Sequence, residues 1–316
     1  MLRTRICEIL GIDYPIFQGG MAWIATGRLA GAVSEAGGLG IIGAGSAPPE
    51  VVKKEIDKVR EITDKPFAVN VYYISPHLEE IIRLMVDERV PVITTGGGNP
   101  GKHIESLKKA DIKVFPVVSS VALAKRLART GVDGLIAEGM ECGGHIGDIA
   151  TMPLIPQIVD AVDIPVVAAG GIADGRGLAA ALALGAEGIQ MGTRFICAEE
   201  CTVHSNYKDA IIRAKDRDTT TTGYSGHYVR VLKNKLVRAY ERLGQQGTSP
   251  EDLEELGSGK LQLAALNGDV DNGSVMAGQV AALVDGIKPA GEIIDEIIVE
   301  ARDTVEGLEK LFSKGG

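Results

Sequence analysis

The chain has few cysteines, few aromatic residues, little positive charge and no long apolar run. Four cysteines in 316 residues are too few for a disulfide framework, so reduced thiols are expected. A net charge of −9 argues against general nucleic-acid binding, which requires a basic surface. No apolar stretch approaches the roughly 20 residues of a membrane span. The opening MLRTRICEILGIDYPIF lacks the small-residue cleavage site of a secretion signal. These absences predict a cytoplasmic protein that binds neither nucleic acid nor a membrane.

One group of cysteines and histidine resembles a metal site. Cys197, Cys201 and His204 lie close together, but their spacing fits no standard zinc pattern, so no metal is predicted. The chain is instead rich in glycine, with 41 residues spread along its whole length, and 45% of its residues are hydrophobic. This composition is typical of a globular α/β protein with a sizeable core and not of a low-complexity linker.

Eight short apolar runs recur along the first two thirds of the chain, and none alternates apolar with polar residues. They begin at Tyr14, Leu39, Phe67, Val90, Lys113, Gly134, Pro165 and Gly188. Continuous apolar runs are typical of parallel strands that are buried on both faces. The segments between them have the periodicity and the caps of amphipathic helices. Eight βα units predict a (β/α)8 TIM barrel, and a doubly wound open sheet is the alternative.

The pattern changes after the eighth run. Residues 195–288 contain helix-like segments such as NYKDAIIRAKD, YVRVLKNKLVRAYERL and SVMAGQVAALV, joined by polar loops. We therefore predict a barrel domain over residues 1–194 and 289–316, with a helical insertion, 195–288, that covers the barrel mouth. The closing helix is predicted in PAGEIIDEIIVEARDTVEGLEKLF.

Glycines and polar residues collect where the predicted strands end, which is the edge of a barrel that carries its chemistry. The sites are Gly19, Gly20 and Met21, Asn70, Thr94 to Gly96, Glu138, Gly143 to His145, Gly170 and Gly171, and Gly192 and Thr193. Glycines after the last two strands allow backbone N–H groups to close around a phosphate, and Thr193 adds a hydroxyl donor. The sequence therefore predicts a ligand with a terminal phosphate.

Five motifs, PIFQGGMA, PFAVN, AEGMECGGHIG, VVAAGGIADG and GIQMGTRF, resemble the FMN-dependent family that contains nitronate monooxygenases and flavin-type enoyl-acyl carrier protein reductases. The resemblance covers nearly the whole chain. DYPIFQGGMAW, GGLGIIG and GDVDNGSVMAGQ are most similar to the reductase branch. The chain departs from the family at Cys142, where alanine is frequent, and a small thiol should fit there.

The resemblance implies that FMN lies over the barrel mouth and that His145 is the catalytic acid–base residue. The residues that it implies for binding FMN are Gly20, Met21, Asn70, Glu138, Gly143, Gly144, Gly171, Gln190, Met191, Gly192 and Thr193. A helix that begins at Ser274 would place Met276 over the flavin, where it would contact the acyl substrate.

Three enzymatic functions are open at this point. The first is reduction of the 2,3 double bond of a 2-enoyl thioester, with electrons from NADH or NADPH passing through FMN and an enoyl-acyl carrier protein as substrate. The second is a nitronate monooxygenase that uses the same flavin with oxygen. The third is a flavin-free barrel that acts on a nucleotide 5′-phosphate, although the cysteine loop that this requires is absent. The resemblance also implies a homodimer.

Overall fold

The computed structural model describes residues 2–224 and 226–313 of the chain. Eight parallel strands form a closed barrel, in which the last barrel strand pairs with the first. Three further strands, β7, β10 and β11 in the numbering that follows, lie outside the barrel. The strands in chain order are β1 Ile16–Gln18, β2 Leu39–Gly45, β3 Phe67–Tyr72, β4 Val92–Gly96, β5 Lys113–Val118, β6 Leu135–Glu138, β7 Gly144–His145, β8 Val166–Ala169, β9 Gly188–Met191, β10 Thr219–Tyr224 and β11 His227–Leu232. The predicted (β/α)8 barrel is confirmed, and the open sheet is excluded because the sheet closes on itself.

Helices surround the barrel and fill the insertion. Their bounds are α1 Arg5–Leu10, α2 Gly27–Glu35, α3 Pro49–Ile62, α4 Leu78–Asp87, α5 Ile104–Lys109, α6 Val121–Ala128, α7 Thr151–Val159, α8 Gly175–Ala183, α9 Thr193–Ile196, α10 Ser205–Ile212, α11 Lys235–Gln245, α12 Pro250–Gly257, α13 Lys260–Asn267 and α14 Ala290–Ser313, with 3₁₀ turns at Pro100–His103 and Gln279–Leu283. The predicted closing helix is α14, which packs against α8 and α2. No helix in the described ranges combines the length and the apolar character that crossing a membrane requires.

The inside of the barrel is filled by apolar side chains. Phe17, Ile41 and Phe115 belong to this inner cluster, and the rings of Phe17 and Phe115 meet edge to face with centroids 6.0 Å apart. A filled interior is normal for this fold, so the barrel is a packed core rather than a channel. Ligands must therefore bind at an end of the barrel.

Helix α2 lies unusually close to the strand that follows it. A β-carbon built on Gly40 would be 1.8 Å from the carbonyl oxygen of Ala30, far inside van der Waals contact. Glycine is required at this position because the helix backbone occupies the space of any side chain. The GGLGIIG motif thus fixes the distance between the helix layer and the barrel.

The prediction of a purely helical insertion is wrong for one segment. The YVRVLKNKLVRAYERL stretch was expected to form one helix, but its first part is strand β11, and the helix begins only at Lys235. β11 pairs with β10 on one side and with β7 on the other, so an antiparallel three-stranded sheet lies outside the barrel. Its central strand pairs with a segment about 80 residues earlier, and this long-range pairing overrides the local helical pattern.

The expected helix at Ser274 is also absent. Leu232 N–H donates to the Val275 carbonyl and Met276 forms a β-bridge with Val231, so this segment is extended. The segment ends in the 3₁₀ turn Gln279–Leu283. Pairing with β11 satisfies backbone groups that a helix would otherwise have satisfied internally.

Candidate active site

A layer of polar side chains lies on top of the apolar interior at the carboxyl ends of the strands. Asn70 and Thr94 are neighbours across β3 and β4, two residues beyond the inner-cluster residues Ala68 and Val92. Side chains two apart in a strand share a face, so both point into the barrel. The amide of Asn70 donates to the Thr94 hydroxyl at 2.9 Å. These two residues form part of a polar floor beneath the barrel mouth.

Two further strands contribute to the same layer. Glu138 follows the inner-cluster residue Ile136 in β6, and Gln190 in β9 is the strand partner of Phe17. Both side chains are half-buried. A β-carbon on Gly96, which also faces inward in β4, would meet no atom within 4 Å. The floor therefore has amide, hydroxyl and carboxyl groups, with open space beside them.

The loop after β1 packs over this floor. A β-carbon on Gly20 would lie 2.3 Å from the β-carbon of Asn70, so only glycine allows this approach. The sulfur of Met21 would lie 3.3 Å from a β-carbon on Gly192. The structure thus brings together four of the residues that the resemblance implies for flavin binding, from the first, third and eighth barrel strands.

The rim of β8 and β9 has glycines in the left-handed backbone conformation that suits a phosphate site. Gly170 and Gly171 have φ of +87° and +72°, which residues with a β-carbon rarely adopt. The Thr193 hydroxyl accepts a hydrogen bond from the N–H of Gly278 at 2.9 Å and retains its own proton to donate. Met191 differs from the expectation, because its side chain packs in the outer helix-facing cluster and only its backbone could reach a ligand.

One carboxylate in the loop between β6 and α7 ties this loop to the start of α7. Glu141 accepts hydrogen bonds from the Thr151 backbone N–H at 3.0 and 2.9 Å and from the Thr151 hydroxyl at 2.9 Å. The same hydroxyl lies 2.9 Å from the Gly170 carbonyl. The glycine-rich segment that carries His145 is therefore tied to the adjacent β8 rim.

The insertion packs directly on this loop. A β-carbon on Gly143 would be 2.7 Å from the backbone of Ala277, and Gln279 N–H donates to the Glu141 carbonyl at 2.9 Å. Gly143 was expected to allow close approach of a flavin, but the close approach that the structure shows is that of the insertion. Gly144 has φ of +80°, and a β-carbon there would lie 3.5 Å from the Met276 sulfur.

His145 lies in β7 with an exposed side chain. Its strand partner is Val229, so His227, two residues before Val229 in β11, projects from the same face of the small sheet. Desolvation, followed by the neighbouring His227, lowers the pKa of His145 below its usual value. The imidazole is consequently neutral at pH 7, when one ring nitrogen donates and the other accepts.

Glu138 and Cys142 form a second titratable pair beneath the loop. Desolvation raises the pKa of Glu138 to about 7, and a hydrogen bond with the Cys142 thiol opposes part of that rise. Desolvation and the neighbouring Glu138 carboxyl raise the pKa of Cys142, so the thiol stays protonated. The same thiol lies 3.6 Å from the His145 carbonyl oxygen. Cys142 therefore links the floor to the histidine loop.

Three buried side chains in the segment after β9 were not named among the predicted site residues. They are the buried lysine and arginines of the described residues, Arg194, Lys208 and Arg230, and none has a carboxylate oxygen within 4.0 Å there. Each donates to a backbone carbonyl, Arg194 to Gly286 at 3.0 Å, Lys208 to Ala198 at 2.6 Å and Arg230 to Met140 at 3.1 Å. Buried positive charge without a counter-ion favours anionic ligands. For Arg230, the threonine-rich run and the Gly-containing turn before HYVRVL are a hairpin signal that could have revealed its position.

A family model described as nitronate monooxygenase matches residues 3–83 and 75–300. Among solved structures, FabK from Thermotoga maritima is 48% identical, with a TM-score of 0.96 and coverage of 98% of this chain and 100% of that chain. A probable nitronate monooxygenase from Staphylococcus aureus is 36% identical over 94% of this chain and 96% of its own.

A third relative extends the range of activities. The (3aS,4S,5R,7aS)-5-hydroxy-7a-methyl-1-oxo-octahydro-1H-indene-4-carboxyl-CoA dehydrogenase of Rhodococcus jostii is 33% identical over 98% of this chain and 99% of its own. These matches run through the barrel, the polar floor and the insertion. The chain belongs to the nitronate monooxygenase family and is a flavin-dependent oxidoreductase.

Proposed function

We propose that the chain is an FMN-dependent enoyl-acyl carrier protein reductase. It would reduce the 2,3 double bond of 2-enoyl thioesters with electrons from NADH or NADPH. The observation that carries this proposal is the 48% identity to FabK across practically the whole chain, insertion included. The reductase-branch motif GDVDNGSVMAGQ forms the part of the insertion that contacts the histidine loop.

The residues at the mouth fit FMN. The backbone at Gly171, Gly192 and Thr193 would hold its phosphate, with the nearby buried charge of Arg194 adding electrostatic attraction. The floor amides of Asn70 and Gln190 would hydrogen-bond the ring and ribityl chain, while a protonated Glu138 can both donate and accept. When bound, FMN supplies the hydride transfer, and the protein supplies position and electrostatics.

His145 is proposed to act on the thioester oxygen. Reduction at the β-carbon places negative charge on the carbonyl oxygen, and a neutral imidazole N–H can donate a hydrogen bond to it. The lowered pKa of His145 makes this neutral form the resting one. The same ring can then pass this proton to the α-carbon as it takes up another from solvent, so that it ends neutral again.

Met276 is proposed to contact the acyl chain. Its half-buried thioether lies against Gly144, beside the residue that would hold the carbonyl oxygen. A flexible thioether can adapt to chains of different shape. The acyl group would be delivered by acyl carrier protein. The Rhodococcus jostii relative, whose name specifies a carboxyl-CoA substrate, supports thioester chemistry in this family.

Nitronate oxidation is the second candidate, favoured by the family model and by the relatives from Staphylococcus aureus. It would use the same flavin site and the same histidine. It would not require the mouth to admit a dinucleotide or a long acyl chain.

Flavin content tests the shared part of both proposals. The purified chain should be yellow and should release about one FMN per chain on denaturation. A colourless chain that cannot be reconstituted with FMN would contradict both. Steady-state oxidation of NADH or NADPH that depends on crotonyl thioester would support the reductase, and its absence in FMN-loaded protein would exclude it.

A further inference from the structure

Arg230 in β11 is a buried arginine without a paired anion among the described residues. Only 4% of this residue is exposed, and its Nε–H donates to the Met140 carbonyl at 3.1 Å. Within residues 2–224 and 226–313 no carboxylate oxygen lies within 4.0 Å of it. An arginine normally enters the interior only with a paired anion, because desolvating its charge is costly.

The two terminal amino groups of Arg230 are free in the described structure. Neither has a hydrogen-bond partner there. Among the described residues, the one side-chain atom that is both unpartnered and fully enclosed is Thr95 Oγ1, so the amino groups of Arg230 are not sealed from solvent. The guanidinium is therefore held by one N–H, while its two terminal amino groups keep some contact with solvent. A planar guanidinium fork with two unused amino groups matches a phosphate group, which accepts paired hydrogen bonds.

Arg230 lies in the strand that pairs with the histidine loop. Its strand partner is Gly144, whereas His145 pairs with Val229, so the fork projects from the face of the small sheet opposite to His145, near the Glu141 carboxylate. The Glu141 oxygens are already engaged with Thr151, so this carboxylate does not satisfy the fork. The expected FMN phosphate site lies elsewhere, on the rim of β8 and β9, where Arg194 is the nearby cation.

We propose that Arg230 is the binding residue for a phosphate ester carried by the substrates that enter the mouth. This inference rests on the proposed function only in its choice of substrates. Both proposed substrates carry a phosphate ester. NADH or NADPH carries a diphosphate, and the enoyl-acyl carrier protein carries the phosphate of its pantetheine arm. Such a residue would anchor either molecule while its reacting end lies near His145.

Paired probes that differ by phosphate test the assignment without turnover. FMN-loaded protein is titrated with 4′-phosphopantetheine and with pantetheine, and binding is followed by calorimetry. Arg230→Met should weaken 4′-phosphopantetheine about 10- to 100-fold, the range for losing a hydrogen bond to a charged group, and should leave pantetheine unchanged. Arg242→Met, which removes an exposed arginine from α11, is the matched control and should change neither.

The dinucleotide arm uses anaerobic flavin reduction. NADH and the phosphate-free 1-benzyl-1,4-dihydronicotinamide are compared, and Arg230→Met should raise the apparent Kd for NADH alone. A loss confined to one arm would identify which substrate supplies the phosphate. Equal losses for probes with and without phosphate, or no loss in either arm, would overturn the assignment.

A second variant guards against misfolding. Arg230→Lys keeps the charge but not the fork, and should weaken phosphate-bearing probes by about 3- to 10-fold with FMN content and melting temperature unchanged. An unchanged affinity for those probes would show that Arg230 does not bind phosphate through its fork. If NADH and NADPH fail to reduce the flavin at all, the proposed function is wrong, and the pantetheine pair still decides the role of Arg230.

Discussion

The polar floor of the mouth and the insertion at residues 195–288, which we call the cover, are built in different ways. The floor is carried by regular parallel strands, and side-chain alternation alone places Asn70, Thr94 and Glu138 inside the barrel. The cover is held largely by isolated backbone contacts, such as Gly278 N–H to the Thr193 hydroxyl and Gln279 N–H to the Glu141 carbonyl. A repeating ladder fixes many positions at once, whereas each contact of the cover depends on one particular pair. The floor should therefore determine stability, and the cover should determine access and specificity.

The two regions also differ in charge. The floor contributes a carboxyl group with a raised pKa, whereas the buried cations Arg194, Lys208 and Arg230 lie in the segment after β9. In a chain with a net charge of −9, these three buried cations have no carboxylate partner among the described residues. Anionic ligands would bind where the floor, which is neutral below about pH 7, meets Arg194 and Arg230.

The largest effect is expected at the junction of floor and cover. His145→Ala should retain flavin and its reduction by NADH, while reoxidation by a crotonyl thioester slows by roughly 10² to 10⁴-fold. Rapid mixing of the reduced enzyme with the thioester measures this. His77→Ala, at the half-buried residue that precedes α4, should behave like the unchanged chain. A wild-type reoxidation rate in His145→Ala would make His145 a structural residue.

The barrel strands that carry the floor are tested most severely at Gly40. Its β-carbon would overlap the Ala30 carbonyl, and backbone cannot rotate away, so Gly40→Ala should cost about 3 kcal/mol or more of unfolding free energy. Urea unfolding measures the change. Gly307→Ala is the control, since a β-carbon there meets nothing within 4 Å in α14, and it should stabilise by about 0.5 to 1 kcal/mol. Equal midpoints for Gly40→Ala and wild type would refute the close packing.

The cover is tested at Gly143. Its β-carbon would lie 2.7 Å from the Ala277 backbone, so Gly143→Ala should displace the segment that carries Met276. We expect kcat/KM for the enoyl thioester to fall by about tenfold, equivalent to about 1.4 kcal/mol. The loss of unfolding free energy should be smaller than for Gly40→Ala. A stability loss as large as that of Gly40→Ala would show that floor and cover are one structural unit.

The most gradual effect, spread across the pH range, concerns Glu138 in the flavin-free chain. Burial raises its pKa from the 4.5 of an exposed carboxyl to about 7, so between these values the folded chain keeps a proton that the unfolded chain releases. The stabilising contribution of Glu138 should therefore be fully present below pH 4.5 and be lost as pH rises toward 7. The unfolding free energy should fall by less than about 1.4 kcal/mol per pH unit over that range.

Glu138→Gln removes this contribution. Melting temperatures across pH 4.5 to 8 should show wild type losing stability relative to the variant as pH rises. A constant difference across that range would mean that Glu138 titrates normally in the folded chain.

The sequence predicted the floor well because buried parallel strands have a local signature. All eight barrel strands follow from continuous apolar runs, and glycines at their ends mark the rim. The cover was less predictable, because β11 is defined by pairing with His145 and Gly144, which lie far away in the chain. Arg230 lies in YVRVLKNKLVRAYERL, which local periodicity predicts to be one helix. Its burial arises from that pairing, which no local spacing encodes.

One comparison on a single flavin-loaded preparation separates the reductase from the nitronate monooxygenase. The flavin is reduced anaerobically with NADH, or with NADPH if NADH fails, and the reduced enzyme is mixed with crotonyl thioester. In parallel, oxygen uptake is followed with propyl nitronate. The account predicts rapid reoxidation by the thioester and little oxygen uptake. Fast oxygen uptake with nitronate and no reoxidation by the thioester would contradict it and identify the chain as a nitronate monooxygenase.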